Sequence, residues 1–244
     1  DYRAARLPKE WRKALASMQQ NGAPEALIGG GALRDLFNGR AIKDVDIFLQ
    51  SRGSESKNRK FIKNAFRKAG MEIVKQVVST TIYGGEIREE FPDPKKSVFQ
   101  ARVGSSYGTV SHSEAWTVVA GSERTEYNVV FIDGPLGGLL KMAAGAENTS
   151  SAAVMIKAFD LGLCQIGFDG EKIVTTKAYR EDVSEKKITL HVDNGTSQQH
   201  IARVVKKYPD WQLSPEAEKA LNPPPAPKPK PRRSYGGYGG WSSY

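Results

Sequence analysis

The sequence has one cysteine, Cys164, and three histidines. A single thiol excludes an intramolecular disulfide, so the fold must be held by its core, and this usage fits a reducing cytosol. No Cys or acidic neighbour stands at metal-ligand spacing from His191 or His200, which argues against a zinc site. No run reaches the roughly 18 apolar residues of a membrane span, and the first residues hold no apolar signal core. Acidic residues are in deficit: 27 Asp plus Glu against 36 Lys plus Arg leave a net charge of +9. That balance points to a polyanionic partner, most commonly nucleic acid. Hydrophobic residues are only 39%, so part of the chain is expected to lie outside a packed core.

What is present is a dense stretch over residues 26–49. Ala26, Leu27 and Ile28 form an apolar run that stops at Gly29, Gly30 and Gly31, where the missing Cβ atoms let the backbone approach a ligand. Ala32, Leu33, Leu36 and Phe37 recur at helical spacing. A short helix therefore begins at the glycines with its unpaired N–H groups outward, an arrangement suited to phosphate. Asn38-Gly39 is a helix stop. Asp44 and Asp46 then open a strand in which Val45 and Ile47 point the other way, so both carboxylates project from one face. Two adjacent carboxylates repel each other without a cation, and Mg²⁺ prefers such hard oxygen ligands.

The run Gly30-Gly31-Ala32-Leu33-Arg34-Asp35, Gly39-Arg40 and Lys43-Asp44-Val45-Asp46 resembles the G-G-x-x-R-D…G-R…K-D-x-D signature of the polymerase-β-type nucleotidyltransferases. The closest subset is the head domain of tRNA CCA-adding enzymes and bacterial poly(A) polymerases. The resemblance implies an α+β nucleotidyltransferase fold, a mixed β-sheet flanked by helices, over residues 1–221. It also implies two-metal transfer of NMP from an NTP such as ATP, with two Mg²⁺ ions held by Asp44 and Asp46. Gly30 and Gly31 would present backbone donors to the phosphates, Lys43 would contact the nucleotide, and Arg34 would contact the triphosphate or brace the Asp side of the site. Asp35 and Arg40 are expected to stabilise the turn. The pattern places a third carboxylate at about Asn128, where an amide is a poor replacement. Asp160 is the leading candidate for that catalytic, metal-holding role, in a Phe159-Asp160-Leu161…Cys164-Gln165 segment similar to small viral-type members. Asn128, Asp133 or no third acid stay open beside it. The implied setting is the cytoplasm, or a host cytoplasm for a phage-encoded member.

Helices are expected over 7–20 and 54–69, the latter with Lys57, Arg59, Lys60, Lys63, Arg67 and Lys68 on its outer face. That face is either solvated or a contact for RNA phosphates. Residues 71–82 read as a strand pairing with the acidic one, 84–113 as a loop insertion, and 116–120 with 127–132 as a hairpin around a turn at 121–126. Asp160 is expected at the start of a strand reaching Ile166. Short helices are expected over 176–183 and 198–208, with Arg203, Lys206 and Lys207 giving the second a basic face.

From residue 222 the chain is rich in Pro, Lys and Arg and then in Gly and Tyr, and is expected to be disordered to residue 244. Arg232, Arg233, Tyr235, Tyr238 and Trp241 suit single-stranded RNA, charges on phosphates and rings on bases. A solubilising tail or docking peptide is the alternative.

The expected function is thus nucleotidyl transfer to an RNA 3′ end, such as that of tRNA. The alternatives are an RNA-binding module on a degenerate transferase scaffold, or an NMP-transferase acting on a protein or small molecule.

Overall fold

The computed structural model of the chain describes residues 2–81, 87–90, 109–193 and 197–224. Helix α1 (Lys9–Gln20) follows Pro8 and buries Trp11, Leu15 and Met18 along one stripe. The buried strand β1 (Leu27–Gly29) runs into Gly30, whose φ of +74° turns the chain into α2 (Gly31–Phe37). Strand β2 (Val45–Gln50) follows, then α3 (Glu55–Lys68), capped by the Ser54 hydroxyl accepting from the Lys57 N–H at 3.3 Å. Next come β3 (Glu72–Thr81), β4 (Ile87–Glu90), β5 (Thr109–Ala120) and β6 (Glu123–Asp133). Helices α4 (Gly134–Ala144) and α5 (Ser151–Met155) lead to strands β7 (Ile166–Phe168) and β8 (Ile173–Thr175). The remainder is α6 (Lys177–Glu185), β9 (Lys187–Ile188), α7 (Ser197–Lys207), β10 (Gln212–Leu213) and α8 (Pro215–Leu221).

Eight strands form one sheet in the order β4-β3-β5-β6-β2-β1-β7-β8, and β9 pairs with β10 in a small parallel sheet. The large sheet is mixed: β2 and β6 are parallel, and the other neighbouring pairs are antiparallel. This is the α+β architecture, a mixed sheet flanked by helices, that the resemblance implies.

Alternation along the strands decides what each face carries. Phe66 of α3 packs its ring 5.8 Å from Trp116 and 5.3 Å from Tyr127, which fixes α3 over the face shared by Val45, Tyr127 and Trp116. Asp46 and Asn128, one residue on in register, belong to the opposite face. Helix α4 reaches that second face through Gly137, where an added Cβ would lie 2.7 Å from the Ile132 carbonyl oxygen and 3.3 Å from Gln50.

Several expectations change. Strand β3 does not pair with β2; the β5–β6 hairpin separates them, because the crossover through α3 skips two positions that the hairpin fills. The hairpin turn is shorter than expected, Ala120 facing Glu123 across Gly121 and Ser122, with Gly121 at φ +64° as a tight turn requires. Part of 84–113 is strand, as β4 and the start of β5 show, and the rest of that range lies outside the described residues. Asp160 does not begin a strand: residues 162–164 form a turn of 3-10 helix and β7 starts only at Ile166. The tail expected from 222 onward falls outside the described residues from 225.

Candidate active site

The two carboxylates of the acidic stretch stand where their spacing predicted. Asp44 precedes β2, Asp46 is its second residue, and alternation aims both to the side away from α3. Asn128 is the direct partner of Asp46 across the parallel β2–β6 pair, and its amide Nδ2 donates to Asp46 Oδ1 at 2.9 Å. The other end of that amide, Oδ1, is buried without a hydrogen-bond partner. Burial and the neighbouring Asp44 push the Asp46 carboxyl up to about 7, against the pull of the Asn128 amide, His200 and Arg34. Lys43 is 80% exposed and lies 3.6 Å from Asp44 Oδ2.

These features fit a divalent cation. Two carboxylates repelling each other, with an orphaned amide oxygen on the neighbouring strand, are hard oxygen donors of the kind such a cation takes. Among the described residues, no group of three or more His, Cys, Asp and Glu could hold a metal.

The signature helix is held from behind. Arg34, 5% exposed, donates from Nε to Asp35 Oδ1 at 2.7 Å and from Nη1 to the Cys164 sulfur at 3.1 Å, and Tyr208 lies 5.5 Å beneath its guanidinium. Asp35 also accepts from the Tyr208 hydroxyl at 2.9 Å and from Lys207 Nζ. Burial alone would raise the Asp35 carboxyl, but Arg34, Lys207 and Tyr208 hold it below the usual range. Arg40 completes the turn, its N–H on the Asp35 carbonyl at 2.8 Å and its guanidinium 5.2 Å from the Tyr208 ring. Gly30 donates its N–H to the Ile166 carbonyl at 2.9 Å, tying the glycine turn to β7. The end of α7 thereby locks the helix that follows the glycine turn through bonds that span more than 170 residues.

Asp160 stands apart from the Asp46–Asn128 pair in its bonding. It is 1% exposed, and its oxygens accept from the Leu161 N–H at 2.9 Å, from His200 Nδ1 at 2.9 and 3.0 Å, and from the Ser197 hydroxyl at 3.3 Å. The carboxylate expected to complete the metal site is thus engaged by α7, and Asn128 is the side chain bonded to Asp46. Asp133, the other alternative, ends β6 at the N-cap of α4. His200 Nε2 in turn lies 3.7 Å from the Cys164 sulfur. Burial alone would lower the imidazole, but Cys164 and Asp160 outweigh it and push it up to about 10. His200 and Cys164 were not among the expected site residues, because 36 and 40 residues separate His200 from its partners and no local pattern marks it.

The basic residues divide. On α3, Lys57, Lys60 and Arg67 are exposed and Lys63 is half-buried, whereas Arg59 lies 3.4 Å from the buried Glu114 and Lys68 bonds Asn21. All of them ride on the helix that covers the face opposite the carboxylates. On α7, Arg203 and Lys206 are exposed, while Lys207 is committed to Asp35 and, at 3.0 Å, the Ala41 carbonyl. Arg232, Arg233, Tyr235, Tyr238 and Trp241 lie outside the described residues. No helix among the described residues is long and apolar enough to cross a membrane.

No curated protein sequence matches the chain. Solved structures similar to it include the Bacillus stearothermophilus CCA-adding enzyme in complex with CTP, 18% identical, covering 87% of this chain and 42% of that one with a TM-score of 0.42. Another is a CCA-adding enzyme with CTP, 15% identical, covering 89% and 43% with a TM-score of 0.49. A third is a tRNA nucleotidyltransferase complexed with a primer tRNA and an incoming ATP analog, 15% identical, covering 80% and 45% with a TM-score of 0.41. The chain spans less than half the length of each. The model of the Gabija anti-defense 2 (Gad2) family matches residues 6–186, and the chain belongs to that family.

Proposed function

We propose that this protein is a metal-dependent nucleotidyltransferase that moves an NMP from an NTP to an acceptor hydroxyl. The observation that carries the reading is the pair Asp44 and Asp46 on one face of the sheet, beside the unpartnered oxygen of Asn128 and next to the Gly30–Gly31 turn. In the reaction the acceptor oxygen bonds to the α-phosphorus, the bond to the β-phosphate breaks, and pyrophosphate leaves with its electron pair while the hydroxyl gives up its proton. Asp44, Asp46 and Asn128 would hold the metal. When bound there, Mg²⁺ supplies charge neutralisation on the phosphates and lowers the pKa of the attacking hydroxyl. The Gly30–Gly31 backbone lets a triphosphate approach α2 without a Cβ in the way, Lys43, exposed and paired with Asp44, would exchange that carboxylate for a phosphate, and Arg34 keeps α2 in place.

An RNA 3′ end, of tRNA or another RNA, is the acceptor that the net charge of +9 supports, with Arg203 and Lys206 as exposed cations on α7. Family membership favours a second reading of the acceptor: a protein or nucleotide of the Gabija defence, whose modification would disable it. Incubation with each α-labelled NTP and Mg²⁺, offering total cellular RNA in one arm and purified Gabija proteins in another, separates the two. Label on RNA alone selects the first reading. Label on a Gabija component alone selects the second. Tight RNA binding with no label in any arm would instead favour a degenerate RNA-binding scaffold.

A further inference from the structure

Asp160, His200, Cys164 and Arg34 form a continuous chain of contacts that ends on the signature helix. From Asp160 to His200 Nδ1 is 2.9 Å, from His200 Nε2 to the Cys164 sulfur 3.7 Å, and from the sulfur to Arg34 Nη1 3.1 Å. The Arg34 guanidinium in turn curls back to the start of α2, with Nη2 3.6 Å from where a Cβ on Gly31 would stand. Two cationic side chains thus flank one sulfur at the mouth of the glycine turn. Gly30, bonded to Ile166, and Cys164, two residues before Ile166, hold that arrangement against β7.

A buried ion pair with Asp160 would explain a histidine here, but it leaves two facts over. Asp160 already accepts from the Leu161 N–H and the Ser197 hydroxyl. The imidazole also keeps 23% of its side chain exposed, and among the described residues its Nε2 meets nothing better than a thiol at 3.7 Å, a weak acceptor. The ring is therefore fixed firmly at Nδ1 and held at Nε2 only by a weak contact that a stronger acceptor would displace.

We propose that His200 is a phosphate-binding residue of the nucleotide site, oriented by Asp160 so that its Nε2–H meets the triphosphate passing over the Gly30–Gly31 turn. The inference rests on the nucleotidyltransferase reading. Asp160 then acts as a positioning residue for that donor. A charge-assisted bond of this kind is worth a factor of roughly 10 to 100 in affinity.

The test measures binding of ATP, AMP and inorganic triphosphate to the full chain with Mg²⁺, for the wild type and for His200→Gln. The expected result is that His200→Gln weakens ATP and triphosphate by roughly tenfold or more while AMP changes little, and that His200→Lys regains part of the loss. A purely structural lesion would weaken AMP and ATP alike, and that outcome overturns the proposal, as does unchanged triphosphate affinity in His200→Gln. Should His200→Gln fail to fold, ring-nitrogen NMR of the wild type decides: a shift of the His200 Nε2 resonance on adding triphosphate supports the proposal, and an unmoved resonance refutes it. A wild type that binds no nucleotide under any condition overturns the transferase reading itself, a result distinct from loss of the His200 contribution alone.

Discussion

Asp46 Oδ1 accepts a 2.9 Å hydrogen bond from the side-chain amide of Asn128, its direct neighbour across the parallel β2–β6 pair. An aspartate in place of Asn128 would turn this attraction into repulsion when no metal is present, and would add a third charge to the donor set when metal is bound. Asn128→Asp is therefore expected to lower the melting temperature in EDTA and to tighten Mn²⁺ or Mg²⁺ by roughly tenfold or more. At an effective dielectric near 20, an added charge about 4 Å from a divalent ion is worth more than one decade. Calorimetric metal titration checks this, and unchanged affinity would mean that Asn128 does not face the metal.

The pH dependence of the metal-free protein follows from Asp46. Its carboxyl is raised from 3.8 to about 7 on folding, so its contribution to stability is fully present below pH 3.8 and is lost as the pH rises through about 7. In EDTA the melting temperature should fall across that window by an amount that Asp46→Asn removes. Mg²⁺ should restore it at neutral pH. His200 acts in the same sense over a higher window: raised from 6.5 to about 10, it contributes stability that is lost as the pH climbs between those values. Melting curves of the wild type and of Asp46→Asn in EDTA, from pH 4 to pH 8, separate the first effect from the second.

Asp35 is the point at which α7 grips α2, and its removal should be felt as stability before it is felt as chemistry. Asp35→Ala leaves Arg34 and Lys207 without their carboxylate and the Tyr208 hydroxyl without its acceptor. The expected cost is about 3–5 kcal/mol, the usual range for breaking a buried pair by removing one partner. Urea unfolding of the variant measures it directly, and a loss below about 1 kcal/mol would show that the network does not hold the two segments together.

Local rules made the acidic pair and the glycine turn legible. Spacing two apart on a strand puts Asp44 and Asp46 on one face whatever the rest of the chain does, and Gly30 adopts the positive φ that only a glycine takes easily. The position facing Asp46 was also readable, since the resemblance set it at about Asn128. Chemical preference for a carboxylate favoured Asp160 instead, whose oxygens are taken by His200, Ser197 and Leu161. No sequence rule links residue 160 to residue 200, because their meeting depends on how α7 docks. The same holds for Lys207, which pattern alone put on a solvent-facing basic surface and which instead bonds Asp35. Helix α4 carries no clear helical signal in the sequence because Gly134, Gly137 and Gly138 weaken helix propensity, while Gly137 lets the helix approach the Ile132 carbonyl.

Release of pyrophosphate reports whether Asp44 and Asp46 hold the metal for nucleotidyl transfer. Wild type and Asp44→Ala/Asp46→Ala would each be incubated with Mg²⁺, every NTP in turn, total cellular RNA and Gabija proteins. The wild type is expected to release pyrophosphate with at least one NTP, with EDTA abolishing the release and the double variant losing roughly a hundredfold or more, in line with the several kcal/mol that metal-held charge stabilisation supplies. Equal release by both proteins, or none by the wild type with any NTP and acceptor, would contradict that role of the two carboxylates.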